Sequence, residues 1–301
     1  MADTVLTPDS QHRGLVARLP QRPRDLALLA RFDRPIGWWL LFWPCAWGVW
    51  LTGTGLQPLL IGWLLLGAIA MRGAGCVYND IVDADLDRQV ARTAARPVAS
   101  GRVSVKAAWT WLLALCAVGL LVLFQLRWQA QLVALGSLFL VAAYPFMKRI
   151  TGWPQAWLGL VFTWGAPVGW MALRGDRPEV LAALYVGSIF WCIGYDTIYA
   201  LQDREDDAMV GIRSSALTLG TRVRGGVWAC YALAVAGWGT AFWLLRGDWL
   251  AVLAIVPAAA HLGWQVATLQ ADDAANPLAR FRSNRFAGLL VALACLVVGN
   301  A

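Results

Sequence analysis

Nine consecutive residues, Asn79-Asp80-Ile81-Val82-Asp83-Ala84-Asp85-Leu86-Asp87, place four carboxylates and an amide at the end of a long apolar run. On a helix turning about 100° per residue, Asn79, Asp80, Asp83 and Asp87 fall within an arc of roughly 100°, while Asp85 points away. Asn79, Asp83 and Asp87 stack at i, i+4 and i+8. Their oxygens are close enough to share a ligand and too alike in charge to sit together unneutralised. A hard divalent cation answers both conditions, and Mg²⁺ in particular binds through a few carboxylates, keeps waters and completes its shell with substrate phosphates. The plainer alternative is a solvated acidic loop between two helices.

A second stretch shifts that balance toward the cation. Tyr195-Asp196-Thr197-Ile198-Tyr199-Ala200-Leu201-Gln202-Asp203-Arg204-Glu205-Asp206-Asp207 also follows an apolar run. Continued as a helix, it puts Asp196, Tyr199, Asp203, Asp206 and Asp207 on one side and Glu205 on the other. Arg72 lies seven positions before Asn79, inside the apolar run. An ionisable group within a membrane span costs several kcal/mol and faces the bundle interior. Arg72 is therefore expected to point along the axis of the acidic cluster and hold an anionic part of a substrate, a structural counter-ion being the alternative. Two cation-binding faces ringed by Arg92, Arg96, Lys148, Arg149 and Arg213 suit a diphosphate. Because the neighbouring helices are apolar, that diphosphate should carry an apolar tail.

The elements that position these groups are membrane helices. Of 301 residues, 59% are apolar, 19 are Trp and only 14% are charged, which describes an all-α polytopic bundle and not a soluble domain. Nine apolar runs of spanning length are expected at about 36–53, 59–79, 106–125, 129–147, 154–173, 179–201, 226–245, 249–269 and 284–300. The chain reads as one domain with a polar tail over about 1–24. Arg24 to Arg34 is expected to form a short amphipathic helix on the membrane surface. No cleaved signal is expected.

Lys and Arg then set the orientation. The N-terminus and the loops after the second, fourth, sixth and eighth spans hold six, five, two, four and three of them, twenty in all, against four on the opposite side. That asymmetry puts the N-terminus and both acidic stretches in the cytoplasm, and it accounts for the formal net charge of +7 without nucleic acid, for which no binding motif is present. The six cysteines lie within or at the ends of apolar runs without metal-ligand spacing and read as small core residues. His12 and His261 stand alone and carry no chemistry.

Several segments together resemble the UbiA superfamily of intramembrane aromatic prenyltransferases, most closely the branch that prenylates 4-hydroxybenzoate in ubiquinone biosynthesis. They are Arg31-Phe32-Asp33-Arg34-Pro35-Ile36-Gly37, Met71-Arg72-Gly73-Ala74-Gly75-Cys76-Val77-Tyr78-Asn79-Asp80, the NDxxDxxxD pattern, Arg92-Thr93 through Arg96-Pro97, Tyr144-Pro145-Phe146-Met147-Lys148-Arg149, the YDxxYAxxDxxDD pattern and Gly211-Ile212-Arg213-Ser214. The resemblance implies that Asn79, Asp83, Asp87, Asp203 and Asp207 hold two Mg²⁺ ions on a polyprenyl diphosphate, with 4-hydroxybenzoate as acceptor. It gives Asp80, Asp196 and Asp206 supporting roles and Lys148 and Arg149 the clamping of the diphosphate. Arg213 and Tyr144 are ligand contacts, or else a surface charge and a packing residue. Arg72 takes either the acceptor carboxylate or the diphosphate.

The resemblance also implies a bacterial inner membrane. Because water would convert the allylic cation to an alcohol, the bundle and the loops at about 88–105 and 208–225 are expected to close over the site. The rivals are a relative acting on another acceptor, such as homogentisate, a dihydroxynaphthoate or haem, and a cation-coupled transporter. A transporter's acids would lie near the bilayer midplane on broken helices.

Overall fold

The computed structural model of the protein describes residues 15–301 apart from 90–92, 205–208, 210, 212 and 274; the side chains of Lys148, Arg149 and Asp203 also fall outside what it describes. Among the described residues there is no strand. The helices are α1 (Gln21–Leu29), α2 (Ile36–Leu51), α3 (Pro58–Val82), α4 (Ala84–Asp87), α5 (Val105–Leu123), α6 (Trp128–Ile150), α7 (Pro154–Thr163), α8 (Gly165–Leu173), α9 (Pro178–Ala200), α10 (Ser215–Leu219), α11 (Val223–Arg246), α12 (Trp249–Leu253), α13 (Val256–Ala267) and α14 (Ala275–Asn300).

Eight of the nine expected spans are long and apolar enough to cross a membrane, α7 with α8, α10 with α11 and α12 with α13 each making one. The ninth is α2, with 16 residues and Pro44 in its interior. It is the shorter apolar helix of the set. Large apolar side chains such as Phe139, Leu250 and Trp128 lie exposed on the helix surfaces, where water would disfavour them and lipid does not.

The contacts divide the chain into two compact units. The first comprises the described residues up to Trp38 together with those of Leu65–Leu123. Its core gathers Leu29, Ala30, Ala74, Val77, Ala84, Val98, Val103, Ala108 and Leu115. The expected surface helix over Arg24–Arg34 is instead α1, and it is packed. Asp25, Ala27 and Leu29 are buried, the Trp111 indole donates to Leu26 O at 3.1 Å, and Asp25 accepts from Gln21 at 2.9 Å and Arg102 at 3.1 Å. The apolar residues of α1 therefore meet protein, because α5 presents an aromatic face to them, with Phe32 edge-on to Trp111 at 6.4 Å.

The second unit comprises Trp39–Leu64 and Phe124–Ala301. Its helices approach backbone to backbone at glycines, as small residues allow in a membrane where helix packing relies on close van der Waals contact. A Cβ at Gly48 would lie 2.3 Å from Ala166 O, and one at Gly169 2.2 Å from Cys45 O, so α2 and α8 touch along their length. Deep in this unit Trp47, Trp191 and Trp238 interlock at centroid distances of 5.0–6.3 Å. A buried indole N–H needs an acceptor. Each has one: Trp47 donates to Gly288 O, Trp191 to Asn284 Oδ1 and Trp238 to Ser188 Oγ.

Candidate active site

The first acidic stretch closes α3. The helix ends at Val82, Asp83 sits in a turn at φ −93° and ψ 5°, and α4 takes up the winding at Ala84. The expectation of one unbroken helix is therefore corrected at Asp83, but the hydrogen bonds Asp83 N to Asn79 O (2.9 Å) and Asp87 N to Asp83 O (2.8 Å) carry the helical phase through. Asp80, Asp83 and Asp87 are buried at 1%, 1% and 6% exposure. The Asp85 side chain is 92% exposed and pairs with Arg88 at 2.6 Å. The face inferred from spacing is the face that forms, and it is turned inward.

Within that face the Asn79 amide donates from Nδ2 to Asp83 Oδ2 at 3.2 Å. This leaves Asn79 Oδ1 buried with no hydrogen-bond partner among the described residues. A buried amide oxygen without a donor is costly, and it is a ligand type that Mg²⁺ and Ca²⁺ accept. An oxygen-only donor set of amide and carboxylates, one member already orphaned, fits a hard cation.

Two of the basic residues pair directly with the acids. Arg31, in a left-handed conformation at φ 59°, donates from Nη2 to both oxygens of Asp80 at 2.7 and 3.0 Å. Burial works against the Arg31 charge, and Asp80, with Cys76 and Asp33, more than offsets it, so its pKa is raised. Arg96 donates from Nη1 to Asp87 Oδ2 at 2.7 Å and lies 3.4 Å from Asp80 Oδ1. Burial pushes the Asp87 carboxyl above the ordinary carboxylate range, Arg96 draws it back, and Asp80 and Asp83 raise it again. Arg96 is thus engaged at the acidic face, beside the carboxylates it was expected to ring. Arg92 lies outside the described residues.

Arg72 is on α3, and its guanidinium donates from Nη1 to Cys76 Sγ, one turn nearer Asn79. It rests over Gly37, where a Cβ would stand 2.7 Å from Nε. Sequence spacing placed Arg72 on the acidic side of the helix but not the glycine cradle beneath it.

The second acidic stretch closes α9. Tyr195, Thr197, Ile198 and Ala200 are buried, and Asp196 and Tyr199 are half-buried between them. The helix tightens into a 3₁₀ turn at Leu201–Asp203, so the expected continuous helix ends at Ala200. Asp206 and Asp207 lie outside the described residues, as does the side chain of Asp203. Among the described residues no three His, Cys, Asp or Glu converge as a cation cage.

The chain returns to the bundle at Ser214–Ser215, which is anchored on three sides. Thr197 and Ser215 hydroxyls meet at 2.7 Å, Ser215 N donates to Gln155 Oε1 at 2.9 Å, and Thr218 donates to Gly152 O at 2.9 Å. Ser214 caps α10 by accepting from Leu217 N. This anchoring brings Arg213, exposed, to 3.4 Å from Ile150 O, beside the last turn of α6 that carries Lys148 and Arg149. Tyr144 is half-buried on the same helix.

The anchoring contacts of Gln155, Thr197, Ser214 and Ser215 are not legible in the sequence. The one available signal was a serine pair directly before a short apolar helix, which is an N-cap pattern.

This geometry has counterparts. Residues 41–293 match the UbiA prenyltransferase family. The mitochondrial 4-hydroxybenzoate polyprenyltransferase of Drosophila pseudoobscura pseudoobscura is 41% identical over 298 residues, covering 97% of this chain and 75% of that protein. The apo structure of a UbiA homologue from Aeropyrum pernix K1 superposes with a TM-score of 0.71 at 25% identity, covering 86% of this chain and 97% of the other. A UbiA homologue from Archaeoglobus fulgidus bound to GPP and Mg²⁺ shares the fold, with a TM-score of 0.68 at 19% identity over 92% of this chain and 100% of that one. A family match over residues 41–293, together with a relative 41% identical across 97% of the chain, makes this chain a member of the UbiA prenyltransferase family.

Proposed function

We propose that this protein transfers a polyprenyl group from polyprenyl diphosphate to the ring carbon ortho to the hydroxyl of 4-hydroxybenzoate, releasing diphosphate, in ubiquinone biosynthesis. The observation that carries the chemistry is the inward acidic face of Asn79, Asp83 and Asp87 with its orphaned amide oxygen. The acceptor rests on a relative of that name 41% identical across 97% of the chain. We read residues 1–301 as one prenyltransferase domain.

The reaction is Mg²⁺-dependent in this reading, in keeping with the family member solved holding GPP and Mg²⁺. When bound, Mg²⁺ neutralises the diphosphate oxygens and makes diphosphate a better leaving group. Asn79, Asp83, Asp87, Asp203 and Asp207 hold the cations, with Asp196 in support. Lys148 and Arg149, with Arg213 beside their helix end, clamp the diphosphate. Tyr144, on the same helix, lines the donor. Arg72 sits seven residues before Asn79, about 10 Å along the helix axis, which is too deep for the diphosphate and suited to the acceptor carboxylate.

The allylic C–O bond breaks with its electron pair departing on diphosphate, the ortho carbon bonds to the prenyl C1, and that ring carbon then loses its proton. Apolar walls keep water from the allylic cation, which water would convert to an alcohol.

The membrane is, in this reading, a bacterial inner membrane, with the N-terminus and acidic helix ends cytoplasmic; the twenty-to-four distribution of Lys and Arg supports the orientation. Membranes containing the protein, given a polyprenyl diphosphate and either 4-hydroxybenzoate, homogentisate or a dihydroxynaphthoate, should yield the prenylated 4-hydroxy acid. Turnover only with another acceptor rejects the assignment, and cation-driven uptake in proteoliposomes without a donor rejects the enzyme class.

A further inference from the structure

Three carboxylates and two guanidiniums lie on one side of the α3–α4 junction, and their pairing is unequal. Asp80 spends both oxygens on Arg31, at 2.7 and 3.0 Å. Arg96 then reaches the same Asp80 at 3.4 Å and Asp87 Oδ2 at 2.7 Å. Asp87 therefore has one oxygen fixed by Arg96, while among the described residues no donor reaches Oδ1. Arg96 is itself held by its loop: its backbone N–H donates to Thr93 O and its carbonyl accepts from Ser100 N and Oγ. Thr93 Oγ1 returns to the Asp87 carbonyl at 3.0 Å, so both the side chain and the backbone of Asp87 are tied to the loop carrying Arg96. Arg31 is equally fixed, with Nη1 on Leu28 O at 3.0 Å.

We propose that Arg31, Asp80 and Arg96 form a positioning relay for Asp87, in which Asp80 gathers the two guanidiniums and ligates no cation, while Arg96 aims the free Oδ1 of Asp87 at the cation. The proposal rests on the reading of Asp87 as a cation ligand. Groups that hydrogen-bond a ligating carboxylate fix its orientation, and removing them usually lowers metal affinity 10–100-fold. The relay also gives the segment from Thr93 to Ser100 a role distinct from covering the site: it delivers the guanidinium that sets the ligand. Arg31, Arg96 and Asp80 are 49 and 16 residues apart along the chain, so three separate segments converge on one ligand.

The alternative role for Arg96 is that of a counter-ion which the cation must displace. The two roles predict opposite signs. Purified protein in detergent, with an unreactive prenyl thiodiphosphate present, is titrated with Mn²⁺ and free Mn²⁺ is read by its EPR signal. Arg96→Gln should bind Mn²⁺ about 10–100-fold more weakly than the wild type. Arg96→Lys, which keeps one charged donor, should recover part of the loss. Arg31→Gln should weaken binding less, and the double variant should bind no worse than Arg96→Gln alone, since both act through one carboxylate. Asp85→Asn, on the exposed side, should bind as wild type.

Arg96→Gln and Arg96→Lys both binding as tightly as wild type overturns the relay, and tighter binding shows displacement instead. If Arg96→Gln does not fold, Arg96→Lys and Arg31→Gln still decide, because wild-type affinity in both overturns the relay. A wild-type protein with no saturable Mn²⁺ binding overturns the relay and the cation-site reading together, whereas wild-type binding with unaffected variants overturns the relay alone.

Discussion

Replacing Gly37 by alanine tests whether Arg72 serves the acceptor. The new methyl group would lie 2.7 Å from Arg72 Nε and 3.4 Å from Cζ and Nη2, against an ordinary contact of about 3.5 Å or more. The guanidinium must withdraw by roughly 1 Å, and as the end of a flexible side chain it can do so at little cost to the fold. Alanine's helix preference over glycine, about 0.5–1 kcal/mol, offsets part of that cost.

If Arg72 holds the acceptor carboxylate, the shift removes a charge-assisted hydrogen bond, typically about 1.5–3 kcal/mol, or roughly ten- to hundredfold in binding. Steady-state assays with both substrates varied should therefore show KM for 4-hydroxybenzoate raised by that factor, KM for the donor nearly unchanged and the melting temperature close to wild type. Gly75→Ala, whose Cβ meets nothing within 4 Å, should change neither KM. An unchanged acceptor KM in Gly37→Ala, or a rise in the donor KM instead, refutes the placement of the carboxylate on Arg72.

Other perturbations separate the site from the scaffold. Asp83→Ala should abolish turnover while the protein still inserts and elutes as a monodisperse peak, whereas Asp85→Asn, 92% exposed at the side chain, should keep most activity; loss of turnover in Asp85→Asn would contradict the inward face. Chelation of divalent cations should stop product formation, and added Mg²⁺ should restore it, as followed by chromatography of the prenylated acid. Gly288→Ala would drive a methyl to 2.1 Å from the Trp43 ring, and overpacking of this kind costs about 1–3 kcal/mol. A thermal melt in detergent should show the loss, with KM values unchanged in the surviving fraction.

The apolar runs make the helices legible, and the acidic spacing alone fixes the orientation of Asp83, Asp85 and Asp87. Helix periodicity was enough because Asp83 breaks the helix without breaking its hydrogen-bond register. Two features of the spans were not legible. The span over 154–173 is divided after Thr163, and α2 is only 16 residues long, because hydropathy measures apolar length and is blind to where a helix breaks. The packing of α1 is not legible in the sequence, since a half-apolar helix has the same pattern whether it meets lipid headgroups or the aromatic face of α5. Arg31 and Arg96 could not be assigned either: their partners are 49 and 16 residues away, and a charge pattern along the chain does not say which acid a distant arginine will reach.

The most direct test of cations held by these acids on a diphosphate is pulsed EPR of Mn²⁺ bound to the protein with an unreactive prenyl thiodiphosphate. Two Mn²⁺ per chain with resolved ³¹P coupling, lost in Asp83→Ala, is the expected result. Bound Mn²⁺ without ³¹P coupling, or coupling that survives Asp83→Ala unchanged, would contradict it.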